Sequence, residues 1–270
     1  MPDTAIGGGK TAIDPVIVAM KDHQESMPVR EVLDLRLRGV LMDNPSTNLE
    51  RLSGRLSLEG LNPGSLIFTD DSRLSAPQHF ICRALSFTVS FFALLVCLPL
   101  LPFIVLAVRL SSPGPVFFRQ TRVGQRGRPF TLYKFRTMRQ DAEENGAIWA
   151  IRDDPRVTSA GKFMRKTRLD EIPQLWNVLR GGMAFVGPRP ERPEFVQWLS
   201  KEIPFYDLRH MIRPGITGWA QVRYRYSASL EETRRKLEYD LYYVKNHSIG
   251  LDLLIMLETI KTIILREGAQ

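Results

Sequence analysis

The sequence has very little cysteine. Its two, Cys82 and Cys97, lie in or beside an apolar run with no metal-ligand spacing, so a disulfide framework is not expected and a reducing compartment is. Histidine is also scarce. His23, His79, His210 and His247 are scattered and read as surface or packing residues rather than ligands. Gly7-Gly8-Gly9 lacks both a preceding strand and a Lys-Ser/Thr ending, which excludes a phosphate loop there. No basic start followed by an apolar core opens the chain, so no signal peptide is expected. Acidic charge is short over most of the length. Residues 1–80 hold 8 Lys/Arg against 11 Asp/Glu, a net of −3, while residues 81–270 hold 29 against 18, a net of +11. The later region therefore suits an anionic partner: a phosphorylated substrate, an acidic membrane surface or nucleic acid. The absence of any recognisable nucleic-acid module argues against the last.

Charge is missing altogether from Ala84 to Val108, ALSFTVSFFALLVCLPLLPFIVLAV. That run is long enough to cross a bilayer as a helix. Pro99 and Pro102 fall inside it, and each removes a helix hydrogen bond. Arg73 and Arg83 precede it, and Arg109, Arg119, Arg122, Arg126 and Arg128 follow. Basic flanks at both ends fit a bent helix that enters one leaflet and returns to the same face; a kinked transmembrane helix is the alternative.

Before this run, short apolar segments at Val16–Met20, Val40–Met42 and Leu66–Phe68 alternate with helical spacing at Val29–Leu37 and Thr47–Leu56. That order predicts a small parallel α/β unit in residues 1–80. After it, Val116–Gln120 and Pro129–Phe135 predict a hairpin about a Gly124–Gly127 turn. Helices are expected at Asp141–Ala147, Ser159–Arg168, Ile172–Leu179, Glu194–Glu202 and Leu230–Lys245, with Phe205–Met211 amphipathic. Leu251–Leu265 is apolar on a broad face but too short and charged to span; it suits either the membrane interface or a buried core.

Within Arg165-Lys166-Thr167-Arg168-Leu169-Asp170-Glu171-Ile172-Pro173, two adjacent carboxylates follow three cations and stand at a helix start. The positive end of a helix keeps Asp170 ionised, as a nucleophile requires, and a divalent cation fits between carboxylate and phosphate. A well-capped helix terminus is the plain alternative. In Gly187-Pro188-Arg189-Pro190-Glu191, an arginine between two prolines is pre-set to clamp phosphate. Lys134 and Arg136 share one face of a strand by the two-residue period. Arg213-Pro214-Gly215-Ile216-Thr217-Gly218-Trp219 adds a cation, tight turns and an aromatic. Phosphoryl transfer needs this kind of positioning and neutralisation.

The blocks SPGPVFFRQTRVGQRGRPFTLYKFRTM, RKTRLDEIPQLWNVLRGGMAFVGPRPERPE, RPGITGWAQV and LEYDLYYVKNHSIGLDLLIMLETI resemble the bacterial sugar transferases, the monotopic phosphoglycosyl transferases, in order from Ala84 to the C-terminus. The resemblance implies an α+β, mainly helical monotopic membrane catalytic domain at 81–270, with a re-entrant helix at about 84–108 and a small β-hairpin. It implies that Asp170 attacks a UDP-sugar, releases UMP and hands the phosphosugar to undecaprenyl phosphate. Glu171 would hold Mg²⁺ with Asp170 or manage a proton. Arg189, flanked by Pro188 and Pro190, would hold phosphate, supported by Lys134, Arg136, Arg165, Arg168 and Arg213, with Asp240 as a further site residue. It places the chain on the bacterial inner membrane with the catalytic domain facing the cytoplasm. The lipid bilayer, downstream glycosyltransferases of exopolysaccharide assembly and a homodimer are the partners it allows. The family's helix break is often Ser-Pro, whereas this chain has Leu98-Pro99 and Leu101-Pro102, so either proline serves as the bend. Residues 1–80 resemble the tail of a Rossmann-like domain in longer exopolysaccharide-type members, which carry several transmembrane helices ahead of it; the chain reads as a member with a shortened N-terminal region.

Overall fold

The computed structural model describes residues 16–17, 34, 42–43, 45–59, 61, 76–142, 154–224 and 229–264. The chain divides into two compact units, residues 1–54 and 55–270. In the first, β1 (Val16–Ile17) pairs in parallel with β2 (Met42–Asp43), followed by α1 (Pro45–Ser53). Parallel neighbours need a crossover between them. Of the helix expected there, only Asp34 is described, and it is helical. The strand expected at Leu66–Phe68 lies outside the described residues.

The second unit is mainly helical and begins with α2 (Ala76–Cys97), a 3-10 turn at Leu98–Leu100 and α3 (Leu101–Ser111). Pro99 and Pro102 cannot donate to the carbonyls of Leu95 and Leu98, which explains why the α-helical ladder breaks here. Ala76–Ser111 is long and apolar enough to cross a membrane, with a mean hydropathy of 2.8 over its most apolar window. Its inward face is narrow. Cys82, Ser86 and Ser90, four residues apart, are the buried positions of α2, and Ile104 and Val108 those of α3. Small side chains let α2 lie close against its neighbours. The outward face carries Phe87, Phe91, Phe92, Val96, Phe103, Leu106 and Leu110, with Val96 73% and Leu110 78% exposed. An apolar surface of this extent marks a lipid or protein contact.

The rest of the unit frames a site. β3 (Phe117–Val123) and β4 (Pro129–Phe135) form the expected antiparallel hairpin, with Phe117 opposite Phe135. Its turn needs the left-handed backbone of Arg126 (φ 56°) and Gly127 (φ 73°). The predicted helix at Asp141–Ala147 is described only at Asp141 and Ala142, which form a turn. α4 (Ser159–Thr167) starts where Thr158 Oγ1 accepts from Gly161 N at 3.0 Å. α5 (Gln174–Arg180) stops at left-handed Gly181. β5 (Ala184–Val186) pairs in parallel with β6 (Gly215–Thr217), a pairing the sequence pattern did not reveal. α6 (Pro193–Glu202), a 3-10 stretch at Tyr206–Met211, α7 (Trp219–Arg223), α8 (Leu230–Lys245) and α9 (Ile249–Ile264) complete it. A capping box between Ser229 and Glu232 begins α8.

Both arms of the broken helix join the same core. Ala93, Leu94 and Cys97 of α2 and Ile104 and Val108 of α3 pack with Phe135, Met164, Ile172 and Leu175. Nearer its start, α2 sets Leu85 and Val89 against Val186, Trp219, Tyr243 and Ile255.

Candidate active site

Leu169, Asp170 and Glu171 form one 3-10 turn between α4 and α5. Arg168, in the left-handed region (φ 59°, ψ 14°), ends α4 and opens that turn. The reversal turns two consecutive carboxylates inward, leaving Asp170 6% and Glu171 8% exposed. They precede α5 by one short turn, close to the helix start expected from the sequence.

The two acids have different surroundings. Glu171 Oε1 accepts from Arg189 Nη2 at 2.6 Å and lies 3.6 Å from Lys134 Nζ and 3.5 Å from Arg168 Nη1. Burial alone would raise this carboxyl, but Arg189, Lys134 and Arg168 hold it well below the ordinary glutamate value. Asp170 Oδ1 is buried with no hydrogen-bond partner. Burial first, and the Glu171 charge second, raise the Asp170 carboxyl above the ordinary aspartate value, while Lys134, Arg189 and Arg165 oppose the rise. Burial also lowers Lys134 to about 8, with Glu171 pulling it back up and Arg189 adding to the fall. A buried carboxylate oxygen without a partner is costly unless a ligand supplies one.

Backbone packing fixes Arg189. Pro188 O accepts from Gly215 N at 2.9 Å, and Gly187 N donates to Thr217 O at 2.8 Å. A Cβ on Gly187 would collide with Arg213 O, and one on Gly215 with Gly187 N, so only glycine permits this approach. Arg122 Nη1 donates to Pro190 O at 3.1 Å and lies 3.4 Å from Glu191 Oε2, while Lys236 Nζ lies 3.2 Å from Glu191 Oε1. Lys236, Arg209 and Arg122 overcome burial to hold Glu191 down at about 2. Below, Arg209 Nη1 donates to Tyr206 Oη at 2.7 Å and its Nη2 lies 2.7 Å from Asp240 Oδ2, both side chains 2% exposed.

These groups line one cavity of about 560 Å³. Of the residues expected from sequence, it gathers Lys134, Arg136, Arg165, Arg168, Asp170, Glu171, Arg189 and Asp240. Arg165 is held by its Nε bond to Thr137 Oγ1 at 3.0 Å. Arg136 lines the wall, but its guanidinium donates to Ser112 O at 2.6 Å and Pro113 O at 2.8 Å and so secures the loop after α3. Pro188, Pro190 and Arg213 are not on the wall; the carbonyls of Pro188 and Pro190 accept the hydrogen bonds that fix the segment, and Arg213 O lies against Gly187. Pro99 and Pro102 lie at the break in the apolar helix. Sequence reasoning missed Arg122, Arg139, Arg156, Glu191, Arg192, Arg209 and Lys236. Arg122 falls in the hairpin strand two residues from Gln120, its 2.6 Å partner, and only the strand period could have flagged it. In all, eleven lysines and arginines face four carboxylates, a wall suited to a polyanion.

A second polar cluster closes on itself. Asp252 accepts from Tyr243 Oη at 2.5 Å, lies 3.3 Å from His247 Nε2 and hydrogen-bonds Cys82, joining α2, α8 and α9.

A sequence model described as bacterial sugar transferase matches residues 77–266. The chain is 46% identical over 222 residues to the UDP-N-acetylgalactosamine-undecaprenyl-phosphate N-acetylgalactosaminephosphotransferase of Aeromonas hydrophila, covering 82% of this chain and 52% of that protein. It is 42% identical over 205 residues to the UDP-glucose:undecaprenyl-phosphate glucose-1-phosphate transferase of Escherichia coli (strain K12), covering 75% and 44%. It is 39% identical over 266 residues to the undecaprenyl-phosphate glucose phosphotransferase of Komagataeibacter xylinus, covering 95% and 50%. The chain thus spans about half the length of these relatives.

Proposed function

The chain belongs to the bacterial sugar transferase family, and from that premise we propose that it moves a sugar-1-phosphate from a UDP-sugar to undecaprenyl phosphate and releases UMP. The observation that carries this reading is the buried, unpartnered Oδ1 of Asp170 on a wall of cations. In the first step an Asp170 carboxylate oxygen attacks the sugar-bearing phosphorus, and the bond from that phosphorus to the bridging oxygen breaks. UMP leaves with the oxygen and the electron pair, and a phosphosugar-aspartate remains. In the second, a phosphate oxygen of undecaprenyl phosphate attacks the same phosphorus and Asp170 departs as carboxylate. The raised basicity of Asp170 strengthens its attack, and Arg189, Lys134, Arg165 and Arg168 neutralise charge on the transferring group. Glu171, held ionised by its three cations, keeps Arg189 and Lys134 aimed inward.

Mg²⁺ fits this donor set. Asp170 Oδ1 has no hydrogen-bond partner and Glu171 stands beside it, its described ion pairs falling on Oε1, so these two carboxylates would hold the cation together with a bound phosphate. Bound there, it would draw charge from the diphosphate and favour departure of UMP.

The apolar helix enters and leaves by one membrane face in this reading. Support comes from its two arms packing on one core, on either side of the break at Pro99 and Pro102. In the same reading the active site lies at the cytoplasmic face of the bacterial inner membrane, and downstream glycosyltransferases extend the lipid-linked product there. The test is UMP release from a panel of UDP-sugars with undecaprenyl phosphate and Mg²⁺. UMP from one sugar, lost on chelation and in Asp170→Asn, is expected. Undiminished release by Asp170→Asn, or none from any sugar by folded, lipid-bound protein, overturns the reading.

A further inference from the structure

A second hollow, of about 800 Å³, lies between the end of α3 and the start of α4. Ala107 and Leu110 form its apolar side, and both stand on the helix whose outward face carries Phe103 and Leu106. Val157, Ser159 and Ala160 form the opposite side. At its polar end are Arg139, Gln140 and Asp141; Arg139 and Gln140, but not Asp141, also line the cavity that holds Asp170. The groove therefore runs from the lipid-facing helix to the edge of the catalytic cavity. Arg139 is exposed and has no carboxylate partner among the described residues.

We propose that this groove is the docking path of the acceptor, a polyprenyl phosphate, with the tail along Ala107 and Leu110 and the phosphate against Arg139. The inference rests on the transferase reading above and adds where the second substrate enters. The groove is apolar where it adjoins the membrane face and cationic where it meets the cavity. A lipid phosphate has the same two ends in the same order. A nucleotide sugar has no apolar tail to place against Leu110, and the cations around Asp170 already receive its diphosphate. A diacyl phospholipid shares the phosphate and the tail, but its phosphate sits beneath two chains. A polyprenyl phosphate ends in a phosphate on one chain and can extend past Arg139 to the cavity.

Two activities separate the steps. Exchange of labelled UMP into UDP-sugar needs no acceptor, whereas transfer to undecaprenyl phosphate does. Filling the groove with Ser159→Trp or Ala107→Trp, or removing its charge with Arg139→Gln, should lower the ratio of transfer to exchange. Arg139→Gln should raise the acceptor KM roughly tenfold, the loss of one charge-assisted phosphate contact. An unchanged acceptor KM in Arg139→Gln overturns the groove. Absence of exchange in the wild-type protein overturns the covalent step of the transferase reading instead, and absence of UMP release with acceptor present overturns that reading as a whole. Because a tryptophan variant can fail to fold, the wild-type protein is also labelled with a photoreactive polyprenyl phosphate. Labelling of the segments around Leu110 and Ser159, competed by undecaprenyl phosphate and not by phosphatidylglycerol, is expected. Labelling elsewhere, or equal competition by phosphatidylglycerol, overturns it.

Discussion

Arg209 holds Arg189 by its main chain: Nη2 of the buried Arg209 donates to the carbonyl of Arg189 at 2.9 Å. The same guanidinium pairs with Asp240 on α8, so a helix more than fifty residues downstream fixes the Pro-Arg-Pro segment. Asp240→Ala would leave Arg209 buried without its counter-charge. That should destabilise the fold by about 3–5 kcal/mol, read as a large fall in thermal midpoint. A midpoint within a degree or two of wild type would mean that Asp240 carries no such share.

In the proposed reaction Glu171 acts through Arg189 and Lys134. Glu171→Gln keeps the shape but removes the charge that both cations face at 2.6 and 3.6 Å. The loss of turnover should be roughly 10²–10³-fold, comparable to removing one preorganised electrostatic contact. Glu171→Asp should recover part of it. If Glu171→Gln keeps full kcat, the acid is only a folding contact.

Much of this site was legible in the sequence where chemistry follows local spacing. The Asp170-Glu171 pair, the Lys134 strand face, the hairpin and the helix at Leu230–Lys245 are all set within a few residues. What stayed hidden depends on contacts far apart in the chain. β5 and β6 are three residues each and pair across an interval of nearly thirty, too short for any periodic signal. Arg209 lies in a helical pattern where a charge normally reads as solvated, and only its packing against α8, which brings Asp240 to it, buries it. The sequence does not distinguish a cation aimed at substrate from one that, like Arg136, lines the cavity while its guanidinium donates to the carbonyls of Ser112 and Pro113.

His210 gives the fold a pH dependence. Burial first, and Arg209 second, lower it to about 4, against the opposing charges of Asp207 and Glu191. The folded protein thus holds a neutral imidazole that the unfolded chain protonates near 6.5. Stability from this group is complete above about 6.5 and falls as the pH drops towards 4, by at most about 3 kcal/mol. Asp170 and Asp240, whose carboxyls burial raises, act in the opposite sense over part of this range. The His210 share is therefore the difference between wild type and His210→Gln in thermal midpoint at pH 7.5 and pH 5. A smaller pH 5 loss in His210→Gln is expected; equal losses would remove His210 from the account.

Gly215 lies where β6 crosses the Pro-Arg-Pro segment, and a Cβ there would meet Gly187 N and the carbonyl of Thr217. Neither is a flexible side chain that can swing away. Gly215→Ala should push Pro188 off its 2.9 Å bond and cost about 1–3 kcal/mol, as overpacking does. Turnover should fall further than stability alone explains, because Arg189 moves with the backbone. Normal UMP release by a destabilised Gly215→Ala would separate the brace from catalysis.

The two prolines break the apolar helix together, and either one alone leaves a gap in its ladder. Pro99 withholds a donor from Leu95 O and Pro102 from Leu98 O, on either side of the turn at Leu98–Leu100. Restoring one N–H leaves the other gap, so if the helix is re-entrant as proposed, Pro99→Leu or Pro102→Leu alone should leave both of its ends on one face. The double substitution restores the ladder through the whole of Ala76–Ser111 and should favour a straight span. Cysteines placed singly at Gln78 and Ser112, in a Cys82→Ser and Cys97→Ser background, report this through a membrane-impermeant thiol reagent. In the bent form both are modified from one side, and in the double variant from opposite sides. Opposite-side labelling without any substitution would mean that the helix spans the membrane, and the packing of both its arms on one core would then need another explanation.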